Sequence, residues 1–447
     1  MSFGEAVRRA HRAGRLVVQP RMGMADPARM RAALVATKAA NAHSAGTITL
    51  DSYTRIGDWE AARRAVHEGL DLNGYPIVTH GAETLRLMLA GVADPDFPVQ
   101  VRHGSAQPSR IVETMCRGGL YATEGGPVSY CLPYGRTRLD AALPDWMRAC
   151  RTLAASQESG ARPHLETFGG CLMGQLCPPG LLVAISVLEA LFFRSMGLRS
   201  LSVSYAQQTS PEQDREAIGA LRRLCGELLP DVDWHVVVYA YMGVYPRTAS
   251  GARELLAAAT RLAVDTGSER LIVKTVAEAY RIPTIAENVD ALEMAASVAE
   301  DHTARGGPMP VGVRPDQDSE VYGEASALID AVLNLGPHPG RALVAAVKRG
   351  LLDIPYCLHP DNAGRARSYI GADGRLRWSD VGAMPLPRPV GVGRAALTAA
   401  GLVAALSHVQ RAFDAPVLQG ARSSRPTIEQ ASQGAGGGGG AGSSSSG

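Results

Sequence analysis

FPVQVRHG, Phe97 to Gly104, is a short apolar run that ends in a guanidinium, an imidazole and a glycine. The arrangement recurs along the chain. Arg21 closes LVVQPR, Arg55 follows TITLDSYT, Glu124 follows GLYAT, Glu166 stands near the end of HLET, and Lys274 closes RLIVK with Glu278 four residues on. Each run has the Val, Ile, Leu and Thr content of a buried parallel strand. Strands are expected at Leu16–Gln19, Thr47–Leu50, Pro76–Thr79, Val99–Arg102, Leu120–Thr123, His164–Thr167, Leu201–Ser204, His235–Tyr239 and Leu271–Lys274. Helical patterns separate them, as in PARMRAALVATKAANAH after Asp26 and PEQDREAIGALRRLCGELL after Ser210. Alternation of this kind implies right-handed βαβ units. The expected fold is α/β, a (β/α)8 TIM-type barrel whose strand C-termini meet at one mouth. Nine candidates for eight places leave one strand peripheral.

The barrel is expected over residues 1–335. An irregular C-terminal lobe follows over 336–421, with turns at Asp361-Asn362 and Asp373-Gly374. The Gly- and Ser-rich stretch 422–447 cannot bury enough surface to order itself and is expected to be a disordered tail.

Composition narrows the function. The 447 residues carry a net charge of +2, so no broad basic footprint for nucleic acid or an anionic membrane is expected. The seven cysteines are odd in number and form no Cys-x-x-Cys pair, which argues against a secreted disulfide framework. MSFGEAVRRAHRAGR has basic residues with no apolar core after them, so a cytoplasmic location is expected. The longest apolar stretch, Gly180 to Phe193, contains Glu189 and is too short to cross a bilayer; it reads as a barrel helix. No metal is expected, because the histidines are scattered, and no glycine-rich phosphate loop appears.

The strand ends carry the chemistry. Arg102 can grip a carboxylate in bidentate fashion, and His103 beside it can donate a hydrogen bond or move a proton. The plainer alternative is a salt bridge beside a solvent-facing histidine. EGGPVSYCLPY, Glu124 to Tyr134, sets a carboxylate before two glycines and two phenols, Tyr130 and Tyr134, a grip for an ammonium group and a proton relay. Lys274 and Glu278 face the mouth together if a helix begins near Thr275; the alternative is an ion pair holding the rim. Arginines 21, 55 and 102 at one mouth suit a small molecule with two carboxylates.

From Val17 to Pro385 the chain resembles the large (epsilon) subunit of glutamate mutase, also called methylaspartate mutase. QPRMG, LDSYTR, LNGYPIVTHG, QVRHG, EGGPVSYCLPY, IVKT and LLDIPY occur in that family's order. The resemblance implies a β/α barrel and an adenosylcobalamin-dependent radical rearrangement of L-glutamate to (2S,3S)-3-methylaspartate. It implies substrate carboxylates on Arg21, Arg55 and Arg102, with His103 beside them, the ammonium on Glu124, and Tyr130 and Tyr134 lining the pocket. Glu124, Tyr134 and Arg55 then stand nearest the chemistry. Lys274 and Glu278 hold the cofactor's ribose. A small cobalamin-binding partner with Asp-x-His-x-x-Gly is implied, because this chain lacks that motif, as is self-association into a dimer and so a heterotetramer. The pattern departs at Tyr239-Ala240-Tyr241-Met242-Gly243, where the family carries His-Gln-Trp-Met-Gly, and at Pro127, where a third glycine is common. These departures leave room for another amino dicarboxylate as substrate, or for a non-catalytic paralogue that binds a cobalamin-carrying partner.

Overall fold

The computed structural model describes residues 2–133, 135–171, 176–306, 319–389 and 398–423. Eight parallel strands form one sheet: β1 Val17–Gln19, β2 Gly46–Thr49, β3 Val99–Arg102, β4 Ala122–Gly125, β5 His164–Thr167, β6 Ser200–Ala206, β7 Asp233–Tyr239 and β8 Arg270–Ile272. They run in the order β1-β8-β7-β6-β5-β4-β3-β2. The circle closes where Val18 bridges Ser44 just before β2, with Ala45 N–H donating to the Val18 carbonyl at 3.1 Å.

The helices are α1 Phe3–Arg12, α2 Pro27–Ala39, α3 Ser52–Ile56, α4 Trp59–His67, α5 Ile77–Leu89, α6 Ser109–Arg117, α7 Leu139–Ala155, α8 Pro179–Ser195, α9 Pro211–Leu228, α10 Ala249–Asp265, α11 Ile285–Ala304, α12 Glu320–Leu333, α13 Pro339–Arg349, α14 Ala399–Leu406 and α15 His408–Ser423. Their starts follow the side chains. Asp26, Ser210, Thr248 and Thr284 each cap a first turn by accepting a backbone N–H, and Thr284 forms a full capping box with Glu287. The apolar stretch Gly180–Phe193 lies in α8. It is buried all round because β5 and β6 pack on one side and α12 and α13 on the other. Among the described residues, no helix is long and apolar enough to cross a membrane.

One expected strand is corrected. Pro76–Thr79 is the start of α5, not a strand. The parallel ladder ends there in the single bridge Leu50–Tyr75, and Pro76 turns the chain into a helix with Ile77 buried. A short buried apolar run has no period that separates strand from helix. The other eight candidates are the barrel strands. β4 runs two residues further than expected, so Glu124 lies within it, and β8 stops before Lys274.

The barrel interior is layered. At the bottom, α1 acts as a plug: Phe3 stacks on His164 with ring centres 5.1 Å apart, and the Arg270 guanidinium lies 4.9 Å from the Phe3 ring. Gly4 approaches so closely that a Cβ would fall 2.7 Å from the Ser200 Oγ. The middle layer is polar where such barrels usually hold branched apolar side chains. Gln19 donates to Thr47 at 2.8 Å and to Gln100 at 3.0 Å, and Arg270 pairs with Glu166 and donates to Ser202 at 3.0 Å. Both members of that ion pair are fully buried. Beyond the barrel, β9 Arg367–Ile370 and β10 Leu376–Asp380 pair as an antiparallel hairpin across a turn at Asp373-Gly374.

Candidate active site at the barrel mouth

Period-two alternation aims residues 100 and 102 of β3 inward, one in the floor and one in the mouth. Arg102 is almost fully buried, with its Nη2 3.0 Å from the Glu124 Oε2 on the neighbouring strand. Burial works against its charge, but Glu124 and the phenols of Tyr239 and Tyr130 hold its pKa above the ordinary range. Its Nη1 is buried without a hydrogen-bond partner. A charged donor left this way is costly, and an incoming anion would relieve it.

Arg55 reaches the same cavity from α3. Asp51 starts that helix by accepting from Thr54 N–H at 3.0 Å, and the Arg55 Nε donates to the Leu50 carbonyl at 2.9 Å, which aims the guanidinium. The glycine of Arg-His-Gly makes room for it. Gly104 has φ +59°, and a Cβ there would sit 3.2 Å from the Arg55 Cδ. Burial pulls the Arg55 pKa below its usual value and Arg21 and Arg102 add to that, with Tyr130 and Asp51 opposing. Arg21, just past β1, lies 3.9 Å from the Glu278 carboxylate. All three arginines line one cavity of about 860 Å³, with Glu124, Tyr130, Phe168 and Trp59.

Glu124 is the carboxylate of this cavity. Its Oε1 accepts from the Tyr130 hydroxyl, and its Oε2 receives Arg102 and lies 3.0 Å from the Tyr239 hydroxyl. Burial, then Glu124, pushes the Tyr130 pKa well up, so this phenol stays a donor. The loop that carries it is tied down from behind by Glu189 of α8. That carboxylate accepts from Ser129 N–H at 2.9 Å, Ser129 Oγ at 3.0 Å, and the N–H groups of Val128 and Phe168 at 3.3 Å. Burial raises the Glu189 pKa to about 7 against these bonds. Gly126 is required here, since a Cβ would fall 2.0 Å from the Glu189 carboxylate.

His103 is fully buried beneath the mouth, not solvent-facing. Its ring meets Tyr130 edge-on at 5.2 Å, and Nδ1 accepts from Ser105 N–H at 2.9 Å. Burial and Arg55 push its pKa down to about 3, so it is neutral and its proton sits on Nε2. Tyr134 lies outside the described residues.

Lys274 and Glu278 face each other across a single 3₁₀ turn, Val276–Ala279, with Nζ and Oε2 3.5 Å apart. The same Glu278 oxygen faces Arg21, so the pair joins the arginine cluster. Lys274 also lies 4.9 Å from the Tyr245 ring. Burial lowers its pKa to about 8, with Glu278 opposing. A second cavity of about 270 Å³ is lined by Lys274, Glu278, Tyr245, Arg247 and Gln410 of α15.

A match to the model of the methylaspartate mutase E chain covers residues 1–398. The chain belongs to the methylaspartate mutase E chain family. It is 30% identical over 354 residues to the glutamate mutase epsilon subunit of Escherichia coli O157:H7, covering 76% of this chain and 73% of that one. It is 32% identical over 346 residues to the epsilon subunit of Halobacterium salinarum, covering 76% and 71%. As a glutamate mutase family member, the chain is expected to act as a mutase. The sequence marks Tyr239 only as a departure from the family pattern and Glu189 only as a charge in an apolar helix, and it does not single out Arg270; here Tyr239 and Arg270 tie Glu124 to the barrel floor, and Glu189 anchors the loop.

Proposed function

We propose that this chain is the barrel subunit of an adenosylcobalamin-dependent glutamate mutase that converts L-glutamate to (2S,3S)-3-methylaspartate. The observation that carries the reading is one cavity at the strand C-termini holding three guanidiniums and one buried carboxylate flanked by phenols. A dicarboxylate is costly to desolvate unless each end is paired. Arg21, Arg55 and Arg102 offer that pairing, with the free Arg102 Nη1 as the most deeply buried donor. Glu124 takes the ammonium group, and Tyr130 lines the pocket beside it.

The rim fits a large cofactor. Exposed Ile56, at the end of α3, and Val244, Tyr280 and Ile282, on segments after β7 and β8, line the cavities as an apolar edge around a charged well. Lys274 and Glu278, a donor and an acceptor side by side, would hold ribose hydroxyls. When bound, adenosylcobalamin supplies hydrogen-atom removal and return, chemistry that no side chain here performs. The protein's part is to grip both carboxylates, fix the amine and keep water from the reacting carbon. Cobalamin is shared with a small partner bearing Asp-x-His-x-x-Gly.

The test mixes the full chain with such a partner, adenosylcobalamin and L-glutamate, and follows the methyl doublet of 3-methylaspartate by proton NMR. Product formation supports the reading. No product from glutamate but turnover of 2-aminoadipate would move the substrate to a longer amino dicarboxylate. No turnover of either would favour a non-catalytic paralogue.

A further inference from the structure

Tyr239, the last residue of β7, stands between the mouth and the barrel floor. It is fully buried, edge-on to Phe168 at 5.6 Å, with the Arg102 guanidinium 5.1 Å from its ring. Its hydroxyl lies 3.0 Å from the Glu124 Oε2 and also contacts the Glu166 Oε1. The register of β4 on β5 sets Glu124 directly opposite Glu166, so two carboxylates converge on a phenol with one proton.

The two carboxylates differ in what else they meet. Glu166 Oε2 pairs with Arg270 and accepts from Ser202 at 3.1 Å and Gln100 at 3.2 Å, all buried in the floor. Glu124 faces the cavity. A carboxylate offers about four lone-pair positions in all. On Glu124, Tyr130 takes one, Arg102 a second and Tyr239 a third. One remains for a ligand.

We infer that Tyr239 is a specificity-determining positioning residue: by sharing its hydroxyl proton between Glu124 and Glu166 it occupies the third acceptor position of Glu124, leaves a single one for the ligand's amine, and so selects the enantiomer bound. This rests on the reading of the mouth as an amino dicarboxylate site. With both carboxylates of the ligand held by arginines, the direction of the amine is fixed by chirality. One open acceptor position suits one hand. Two open positions serve both.

Titration calorimetry of the full chain, alone and with its cobalamin-carrying partner, uses L-glutamate, D-glutamate and glutarate. In Tyr239→Phe the L-over-D preference should fall by about tenfold, the scale of one misdirected charge-assisted hydrogen bond, while glutarate affinity stays constant. An unchanged L-to-D ratio would overturn the inference. So would parallel weakening of all three ligands, which marks a merely structural role. Tyr239→His keeps a ring and an N–H donor and should retain the L preference; if the phenylalanine variant does not fold, collapse of the preference in the histidine variant overturns the inference. If the wild-type chain binds none of the three ligands in either setting, the reading of the mouth itself fails, an outcome distinct from a wild type that binds and a variant that matches it.

Discussion

At the scale of single residues, the mouth is organised around what a guanidinium does and an ammonium cannot. Arg102 spends Nη2 on Glu124 at 3.0 Å and keeps Nη1 free and buried. Lysine at this position can serve one of these directions, not both. Arg102→Lys should lower kcat/KM by about 100-fold, the scale of one lost buried charge-assisted bond plus misplacement. Steady-state kinetics check this, and unchanged kinetics would remove Arg102 from the substrate site. Glu124→Gln sets an NH2 group against donors already aimed at it. It should lower kcat by about 100-fold with KM changed only a few-fold, if the carboxylate acts mainly in the transition state. A change in KM alone would assign Glu124 to binding. Arg21, Arg55, Arg102 and Glu124 were legible in the sequence because each ends or follows an apolar run, and a barrel gathers strand ends. Arg270 was not, because it stands just ahead of the expected strand Leu271–Lys274, and Tyr239 stood out only as a departure from the resembled family. The signal was present as period two: Arg270 and Ile272 share one face of β8, and His235, Val237 and Tyr239 one face of β7. What no single run reveals is the register that sets Glu124 opposite Glu166.

At the scale of elements, the loop that carries Tyr130 is held by a helix, not by its own sequence. The EGGPVSY segment has few internal bonds of its own to fix it. Glu189 of α8 receives Val128 and Ser129 on one oxygen, and the Ser129 hydroxyl and Phe168 on the other. These partners are donors, so an amide cannot replace the carboxylate without setting NH2 against N–H or O–H. Glu189→Gln should destabilise the protein by about 2 kcal/mol, the scale of an unsatisfied buried donor. It should also lower kcat, because Tyr130 and Glu124 ride on the loop. Denaturant midpoints and kinetics measured together check this; a stability loss with normal turnover would show that the loop keeps its shape unaided. The sequence marked Glu189 only as a charge in an apolar helix, since its partners lie twenty-one to sixty-one residues away in the chain. The run at Pro76 failed for a related reason: the four residues Pro76–Thr79 are too few to carry a period that separates strand from helix. A second clamp lies at the other side of the mouth. Asp414 of α15 accepts from Arg247 N–H at 3.0 Å and Thr248 N–H at 2.9 Å, fixing the loop that sets Tyr245 over Lys274. On the proposed function, Asp414→Ala should loosen the Lys274 cavity and raise the apparent Kd for adenosylcobalamin more than KM for the amino acid. Equal effects on both would count against that division.

At the scale of the whole molecule, the mouth and the floor of the barrel make opposite demands on pH. The mouth needs charged groups. The floor holds two histidines that must stay neutral. His164 and His235 stack with ring centres 5.2 Å apart and planes 10° from parallel, both fully buried. His164 has hydroxyl partners in Ser200 and Ser202, at 2.9 and 3.0 Å, while neither ring nitrogen of His235 has a hydrogen-bond partner. Burial, then the charge of Arg270, holds both pKa values well below the ordinary histidine range. In the unfolded chain each histidine titrates near its usual value of about 6.5. The unfolded state therefore binds protons that the folded state refuses, and stability is complete above that pH and declines as pH falls below it. Counting His103, whose pKa burial and Arg55 push down to about 3, three buried histidines each add a slope approaching about 1.4 kcal/mol per pH unit in acid, and Glu189, raised to about 7, opposes them by taking its proton first in the folded state. Urea unfolding of wild type and His235→Phe at pH 8, 7, 6 and 5 measures one histidine's share directly. His235→Phe removes the unpartnered member of the stack and should take one histidine's share, about 1.4 kcal/mol per pH unit, from the acid slope, leaving stability above pH 7 nearly unchanged. A variant with the wild-type slope would show that His235 already carries its proton in the folded barrel, against the direction its surroundings impose.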